Sequence, residues 1–282
     1  MSNLAFFPGF TEGRITVDGV GIHYVTGGSG PPLLLVHGAP ESGTMWHKVA
    51  AILRDRFTLV VPDLRGYGRS DKPASGDYTK RAMAADMAAL MSHLGFDRFG
   101  AAGHDRGARV VRRLMKDHPL RVERGAVLDI VPTRWIYDHM DDRVAIGLWN
   151  WVMFVAPHAE RILNFRAMLE GLRHLGDDKA VDDYLQTNGN PEAHHAMCED
   201  YRAGYHICRH QDADDADTVI AAPLLVLWGE KSATTASLFD VRASWAGEGT
   251  DLSFASLPCG HFIPEERPED TARLLGDFFG RH

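Results

Sequence analysis

Cysteine is scarce in this sequence, and its spacing gives no sign of metal binding. The three cysteines, Cys198, Cys208 and Cys259, form no CxxC pair and leave one odd thiol, which favours a reducing compartment over a disulfide framework. The fifteen histidines include no HExxH pair, the spacing that presents two imidazoles to zinc from one helix face. We therefore expect neither a metal site nor a cofactor.

Acidic residues outnumber basic ones in this sequence, and long apolar runs are lacking. Lys and Arg number 30 against 38 Asp and Glu, a net charge of -8, which would repel a phosphate backbone. Near the start of the chain, a short patch from Leu4 to Phe7 ends at Pro8 and Gly9 with no charged segment before it, so no signal segment is indicated. We expect no nucleic-acid or membrane partner, and a cytoplasmic location.

Apolar runs and amphipathic stretches alternate over the first part of the chain. Buried strands are predicted at 33–36, 57–61, 99–103 and 125–131, with a helix at 81–94 between the second and third strands. Such strand–helix–strand units build a parallel sheet. Before them, 14–17 and 22–26 flank Asp18-Gly19 and predict an antiparallel hairpin at the edge of the sheet.

The pattern changes after residue 132. From 133 to 217 no buried strand is evident, and stretches such as 141–155 and 161–172 predict helices. Strands resume at 223–228 and 252–257, and a helix at 270–279 closes the chain. We predict an α/β fold with a mostly parallel eight-stranded sheet flanked by helices; its core comprises 1–132 and 218–282, and 133–217 forms a helical cap.

Residues 103–107, Gly-His-Asp-Arg-Gly, follow a predicted strand and precede the helical run 108–118. This context is typical of a nucleophile elbow, a tight turn in which glycines flank the strained central residue because side chains there would crowd it. Asp105 occupies that centre. A plain turn is the alternative, since Gly and Asp are common turn residues.

Two further stretches complete the pattern, since one could hold an oxyanion and the other gives the chain order nucleophile, acid, histidine. Ala39 lies in a loop after strand 33–36, where its amide and that of Arg106 would form an oxyanion hole. His261 follows the last predicted strand, where a general base must stand, although one histidine among fifteen is often a surface residue. A carboxylate nucleophile displaces a leaving group from sp³ carbon and forms an ester. Asp105 therefore indicates carbon–halogen or epoxide opening.

The sequence resembles the α/β-hydrolase superfamily over nearly its whole length, and more narrowly the fluoroacetate dehalogenase branch of that superfamily. The resemblance is carried by residues 103–109, 128–130, 197–204 and 260–266. It implies the α/β-hydrolase fold, a homodimer and hydrolytic dehalogenation of short 2-haloacids. Asp105 would attack, and water activated by His261 would hydrolyse the resulting ester to a 2-hydroxy acid.

Two acidic residues follow strands and could orient His261, namely Asp129 and Glu230. Related hydrolases often carry Asp at the position of Ser232, so the resemblance assigns the orienting role to Asp129 instead. Glu230 stands next to Lys231 and is expected to form a surface pair.

Arg106 and Arg109 share a face in the first turn of the helix that follows the elbow. Cations there oppose the helix dipole, and a substrate carboxylate held by guanidinium groups would compensate for that cost. A salt bridge to Glu199 or Asp200 is the alternative. The resemblance implies that both arginines bind the carboxylate of a 2-haloacid.

A departing halide needs hydrogen-bond donors that meet its growing charge. In the fluoroacetate branch these are a His-Trp pair and a Tyr, all in the cap. By resemblance, the halide site here comprises Trp151, Asn150 in place of the imidazole, and His206 at the Tyr position with Tyr205 beside it. Trp151 could instead be a packing aromatic. Ala39 stands where relatives often have Phe, which predicts a roomier pocket.

Other functions share parts of this pattern. An epoxide hydrolase would combine the same Asp and His with two cap tyrosines, for which Tyr184, Tyr201 and Tyr205 are candidates, but a neutral epoxide does not require paired arginines. A haloalkane dehalogenase ordinarily has Trp after the nucleophile, where this chain has Arg. A non-catalytic binding protein on the same fold would be expected to have lost part of the catalytic triad, whereas all three expected members, Asp105, Asp129 and His261, are present here.

Overall fold

A computed structural model describes residues 2–281 and contains one sheet that organises the chain. Its spatial order is β1-β2-β4-β3-β5-β6-β7-β8, with β1 and β2 antiparallel to their neighbours and the remaining pairs parallel. The strands are β1 Thr11–Val17, β2 Val20–Gly28, β3 Pro32–Val36, β4 Thr58–Pro62, β5 Phe99–His104, β6 Val122–Leu128, β7 Leu224–Gly229 and β8 Leu252–Leu257. The predicted eight-stranded, mostly parallel sheet is confirmed.

Both faces of the sheet are covered, as a parallel sheet requires. Along β3, Leu34 and Val36 pack into one apolar cluster, whereas Leu33 and Leu35 pack into the other. The edge hairpin also forms as predicted, because Asp18 and Gly19 adopt φ values of 48° and 80°, the left-handed pair that a two-residue hairpin turn needs.

Helices occupy both faces of the sheet and the long connection between β6 and β7. The α-helices are α1 His47–Leu53, α2 Lys80–His93, α3 Asp105–Asp117, α4 Thr133–Asp138, α5 Asp142–Gly147, α6 Trp149–Val155, α7 Ala159–Ile162, α8 Phe165–Gly171, α9 Asp178–Asn188, α10 Pro191–Ala203, α11 Arg209–Asp214, α12 Val241–Trp245, α13 Ile263–Glu266 and α14 Pro268–Phe279. A π-helical turn at Gly204–Cys208 joins α10 to α11.

The connection between β6 and β7, which we call the helical segment, consists of helices and loops and, near its end, a single β-bridge from Ile220 to Gly249. The stretch 141–155, predicted as continuous, is two helices that meet at Leu148, where φ of -108° and ψ of 32° interrupt the helical path. The stretch 161–172 is likewise divided, between α7 and α8. The assignment of 133–217 to a separate cap domain stays a prediction.

Buried ion pairs join the helical segment to the core. The Asp200 carboxylate of α10 accepts from Lys80 at the start of α2 and from Arg106 of α3. Arg112 of α3 binds Asp212 of α11 at 2.8 Å, and Arg69 binds Asp183 of α9. Removing one partner of such a pair would leave a buried charge uncompensated, so these contacts fix where the helical segment lies over the sheet.

The strand predicted at 125–131 ends earlier, at Leu128. Asp129 has φ of 53°, a left-handed conformation that no extended strand contains.

Among residues 2–281, every helix is too short or too polar to cross a membrane.

Candidate active site

Asp105 sits on a sharp turn between β5 and α3. Its φ is 44°, a strained value for a residue with a side chain, and such strain is often found at functional sites. A Cβ on Gly103 would lie 2.5 Å from the Gly107 carbonyl oxygen, and one on Gly107 would lie 2.3 Å from His37 O. The glycines are therefore required by the close approach of backbone to backbone, and the predicted elbow is present.

The loop after β3 contacts the Asp105 carboxylate directly. The Ala39 amide donates to Asp105 Oδ2 at 3.1 Å. Burial acts to raise the pKa of Asp105, but the positive charges of His261, Arg106 and Arg109 contribute to a net lowering. The Asp105 carboxyl is thus ionised at neutral pH, as a nucleophile must be.

Asp129 binds His261. The Nδ1 atom of His261 lies 2.6 Å from Asp129 Oδ2. The other donors to Asp129 are the Gly229 amide at 2.9 Å, the Ser232 hydroxyl at 2.6 Å and the Thr235 hydroxyl at 3.0 Å. Ser232 stands where relatives often carry the acid, and here it donates to the acid on the neighbouring strand.

The second candidate acid points elsewhere. Glu230 is exposed and accepts a hydrogen bond from Ser256 at 2.8 Å. The geometry therefore favours Asp129 as the partner of His261.

The His261 loop is held through its backbone on three sides. Glu266 accepts from the Gly260 amide at 2.7 Å and from the Phe262 amide at 3.0 Å. His104 Nε2 lies 2.8 Å from the His261 carbonyl oxygen. Burial acts to lower the pKa of His261, but the hydrogen bond and charge of Asp129, with smaller effects of Asp105 and Glu41, raise it to about 9.

The two predicted carboxylate-binding arginines lie in different environments. Arg106 is 1% exposed, and its Nε and Nη2 donate to the Asp200 carboxylate at 2.9 and 2.6 Å. It does not line the cavity beside Asp105. The salt bridge to Asp200, considered above as the alternative, is therefore what the structure contains, and the prediction that the Arg106 side chain grips a substrate is wrong for this geometry.

Arg109, in contrast, lines the cavity and has no carboxylate partner among residues 2–281. Its Nη1 donates to Val131 O and to Thr133 Oγ1, each at 2.9 Å, while its Nε is buried without an acceptor among those residues. Burial, assisted by the charge of Arg106, lowers the pKa of Arg109 to about 10. The cavity thus presents one cation that forms no salt bridge within residues 2–281, although the charge of Asp105 in the same cavity partly offsets the lowering of its pKa.

The cavity measures about 420 Å³, a size typical of small-molecule sites. Asp105, Asp129 and His261 line it from the core. The helical segment supplies mostly apolar walls, which include Leu148, Phe154, Met168, Leu172 and Met197. The core therefore supplies the charged residues of the triad to the lining, and the helical segment supplies most of its apolar residues.

Two of the four predicted halide residues reach this cavity. Asn150 and Trp151 line it. Tyr205 instead packs against Tyr137, with ring centroids 5.1 Å apart, and His206 is exposed beside a separate surface depression. The prediction that Tyr205 and His206 face the halide is wrong for this geometry.

The predicted halide site did not include Tyr201, which the sequence offered only as a candidate cap tyrosine of an epoxide hydrolase. Tyr201 lines the cavity, and its ring meets that of Trp151 edge-on at 5.3 Å. In a continuous α-helix Tyr205 would follow Tyr201 on the same face, but the π-helical turn at Gly204–Cys208 changes that spacing. The three candidate cap tyrosines were visible in the sequence, but the change of helical period was not.

One cluster of possible metal ligands lies outside the cavity. Ligand atoms of Glu160, His195 and Glu199 lie within 4.8 Å of one another. Arg202 Nη1 donates to Glu160 at 2.6 Å and to Glu199 at 2.8 Å. An internal cation therefore already occupies the centre of this acidic cluster, which is an ion-pair network.

Comparison with known proteins agrees with this architecture. A family model described as the alpha/beta hydrolase fold matches residues 31–268. The chain is an α/β-hydrolase. The family membership expected from the elbow and the His261 region is confirmed. This enzyme shares its fold with ALR0039 of Nostoc sp PCC 7120. The solved structure of that protein superposes with a TM-score of 0.94, at 39% identity, and covers 98% of this chain and 100% of that one.

Its curated relatives include more than one activity. A fluoroacetate dehalogenase of Burkholderia sp is 40% identical over 96% of this α/β-hydrolase and 94% of its own length. A soluble epoxide hydrolase of Corynebacterium sp. (strain C12) is 32% identical over 93% and 96% of the two chains. The substrate must therefore be argued from the site.

The charge of Asp105 contributes to the raised pKa of His261, and this predicts a measurable coupling. In an Asp105→Asn variant the pKa of His261 should fall below its native value of about 9, because one of the negative charges that favour the imidazolium is gone. Titration of the imidazole by NMR, with the signal assigned from a His261→Gln variant, measures it. The control is Asp214→Asn, which changes an exposed carboxylate and should leave the pKa of His261 unchanged. If the pKa of His261 is also unchanged in Asp105→Asn, the coupling is contradicted.

Proposed function

We propose that this α/β-hydrolase is a hydrolytic dehalogenase of 2-haloacids that works through a covalent ester on Asp105. The observation that carries the proposal is Arg109. A buried guanidinium without a counter-ion is costly, and here it lines the same cavity as a carboxylate nucleophile. A substrate that brings its own carboxylate next to the carbon under attack supplies the missing charge.

In the first step, an oxygen of Asp105 attacks C2 of the haloacid and the carbon–halogen bond breaks. The halide leaves with the bonding electrons, and C2 becomes esterified to Asp105. Arg109 holds the substrate carboxylate in this step, which fixes the direction of attack. Ion-pair recognition of this kind is favoured by the planar guanidinium group.

The second step is hydrolysis of the ester. His261 takes a proton from water, the hydroxide attacks the carbonyl carbon of Asp105, and the amides of Ala39 and Arg106 are assigned to hold the oxyanion. When the ester breaks, the product takes one oxygen of Asp105 together with the proton from His261, and leaves as a 2-hydroxy acid. Because esterified Asp105 is neutral, one of the charges that raise the pKa of His261 is absent when His261 must act as a base.

We assign the halide to the Trp151 side of the cavity. Neither the Trp151 indole N–H nor the Tyr201 hydroxyl has a hydrogen-bond partner within residues 2–281, and both side chains line the cavity. Asn150 Oδ1 accepts from the Trp151 amide at 3.1 Å, so its Nδ2 is the donor left for a ligand. These neutral donors suit a large halide, whose departure depends less on hydrogen bonding than that of fluoride.

An epoxide hydrolase is the second candidate, favoured by the Corynebacterium relative. It needs two acids that protonate the opening oxygen. Tyr184 is buried and donates to Glu265 at 3.0 Å, and Tyr205 packs outside the cavity, which leaves Tyr201 from the three candidate tyrosines. An unpaired cation also has no role toward a neutral epoxide, so the site favours the haloacid.

We infer that the acid carries an apolar substituent on C2. A haloacetate is only a few times larger than a water molecule, which takes about 30 Å³ in the liquid, whereas the cavity holds about 420 Å³. The space beyond the reacting carbon is bounded by Leu148, Met168 and Leu172. An alkyl or aryl group there would remove these side chains from water. The homodimer and the cytoplasmic location stay predictions.

The covalent step predicts a trapped ester. With His261→Ala and chloroacetate, alkylation should proceed while hydrolysis stops, so mass spectrometry should find a carboxymethyl adduct on the peptide that contains Asp105. Asp105→Asn is the matched control and should show no adduct. Continued turnover by His261→Ala on an unmodified peptide would sink the mechanism, and an adduct from an epoxide but not from chloroacetate would favour the second candidate.

The role of Arg109 predicts selectivity for charged substrates. Arg109→Met should lower kcat/KM for chloroacetate about 10- to 150-fold, the loss of one charged hydrogen bond of roughly 1.5–3 kcal/mol. The native enzyme should react poorly with chloroacetamide, and Arg134→Met, which changes an exposed arginine paired with Asp138, should change neither rate. Equal rates on the acid and its amide would refute carboxylate recognition.

The apolar lining of the cavity predicts a dependence on chain length. From 2-chloropropanoate to 2-chlorobutanoate to 2-chlorohexanoate, which all carry the halogen on a secondary carbon, kcat/KM should rise by up to about fourfold for each methylene, since burying one contributes about 0.8 kcal/mol. Met168→Trp should reduce this rise, whereas Ile162→Trp, at a position 62% exposed on the same segment, should not. If kcat/KM instead falls steadily with chain length while chloroacetate still reacts, the inference of an apolar substituent is refuted, but the dehalogenase proposal is not.

A further inference from the structure

Behind the nucleophile lies a cluster of buried acids that the proposed reaction does not use. Glu41 is 0% exposed and Glu265 is 6% exposed. Glu41 belongs to the loop after β3, and Glu265 belongs to α13, just after the His261 loop. Two adjacent carboxylates in such a place would repel each other strongly, so their state needs an explanation.

The acceptor atoms of this cluster greatly outnumber its donors. No N–H or hydroxyl group of the described residues donates to either oxygen of Glu41 or to Oε2 of Glu265. Tyr184 donates to Glu265 Oε1 at 3.0 Å. The two carboxyl groups are close enough for each to shift the pKa of the other, and two facing acceptors can form a hydrogen bond only if a carboxyl proton lies between them.

His104 fixes the direction of the next bond. It is 0% exposed, and its Nε2 lies 2.8 Å from the His261 carbonyl oxygen. Because a carbonyl oxygen only accepts, Nε2 carries a proton. In the neutral ring Nδ1 is then an acceptor, and the polar atom beside it is Glu41 Oε2 at 3.3 Å. A proton on Glu41 would complete that bond without placing an ion in the interior.

We propose that Glu265 and Glu41 are both carboxylic acids near neutral pH, and that they form a one-directional hydrogen-bond chain from Tyr184 through Glu265, Glu41 and His104 to the backbone of His261. Each member donates to the next, so every buried polar atom along the chain gains a partner. The two glutamates are positioning residues for the base, a role that rests on the proposed function. Their protonation does not.

The packing around Glu41 leaves room for its contact with His104. A Cβ on Gly38 would lie 2.8 Å from His104 Nδ1 and 3.0 Å from Glu41 Oε2, so only glycine lets the two groups meet there. The charged groups that face Glu41 are Asp105 and His261 in the site and Glu265 on α13, together with His104. Burial raises the pKa of Glu41 to about 7 and that of Glu265 further above its usual range, while burial and His261 lower the pKa of His104 to about 4.

Infrared difference spectroscopy tests the protonation directly. At pH 6 the native protein should show a carboxylic-acid carbonyl band that is diminished in Glu41→Gln and again in Glu265→Gln, and unchanged in the exposed control Glu230→Gln. This readout needs no substrate, so it is separate from any failure of the dehalogenase proposal. No loss of acid band in either variant overturns the proposal. Loss in Glu265→Gln alone would put the second proton on His104 and overturn the role of Glu41 as a donor.

Kinetics with chloroacetate test the positioning role. Glu41→Leu, which leaves His104 Nδ1 without a donor, should lower kcat about tenfold, while Glu41→Gln, whose amide donates and accepts like a protonated acid, should restore it. A Glu41→Leu variant that keeps the native kcat, or a Glu41→Gln variant as slow as Glu41→Leu, would mean that Glu41 only fills space.

Discussion

The enclosure of an ionised carboxylate underlies the rest of this structure. Asp105 is 5% exposed, and a buried charge is tolerated only when hydrogen bonds and opposite charges surround it. The Ala39 amide contacts it, and His261 and Arg109 provide positive charge in the same cavity. These groups come from the loop after β3, the loop after β8 and helix α3. The sheet must bring all three to one edge, which its parallel order does.

Backbone strain marks the two carboxylates of the triad. Asp105 and Asp129 have φ values of 44° and 53°, and Asp18 in the edge hairpin is the other described residue with a side chain and a positive φ. Such conformations persist only when their surroundings determine them fully. At Asp129 the surroundings are three side-chain and backbone donors besides His261. At Asp105 they include the flanking glycines, where a Cβ would collide with neighbouring backbone.

Arg106 and Arg109, in the first turn of α3, make different kinds of contact. Arg106 is held by Asp200 of α10 and also lies 4.2 Å over the ring of Tyr201, so its charge serves to dock the helical segment. Arg109 finds a hydroxyl and a carbonyl oxygen but no acid. The division matters because the docking of α10 brings Tyr201 to the cavity, whereas Arg109 is left without an acidic partner at the place where we propose that a substrate carboxylate binds.

The sequence by itself determined the sheet, the elbow and the order of Asp105, Asp129 and His261, because these depend on local signals: runs of buried residues, glycines at a tight turn and a histidine after the last strand. The strand ends alone left Asp129 and Glu230 as alternatives, and the family resemblance favoured Asp129. Only the tertiary structure decided which polar groups are free to bind a ligand. The partner of Arg106 lies 94 positions away in Asp200, the face of Tyr205 depends on a π-helical turn, and the chain from Tyr184 to His104 joins four separate elements. Such contacts form when distant parts of the chain pack together, and no local pattern encodes them.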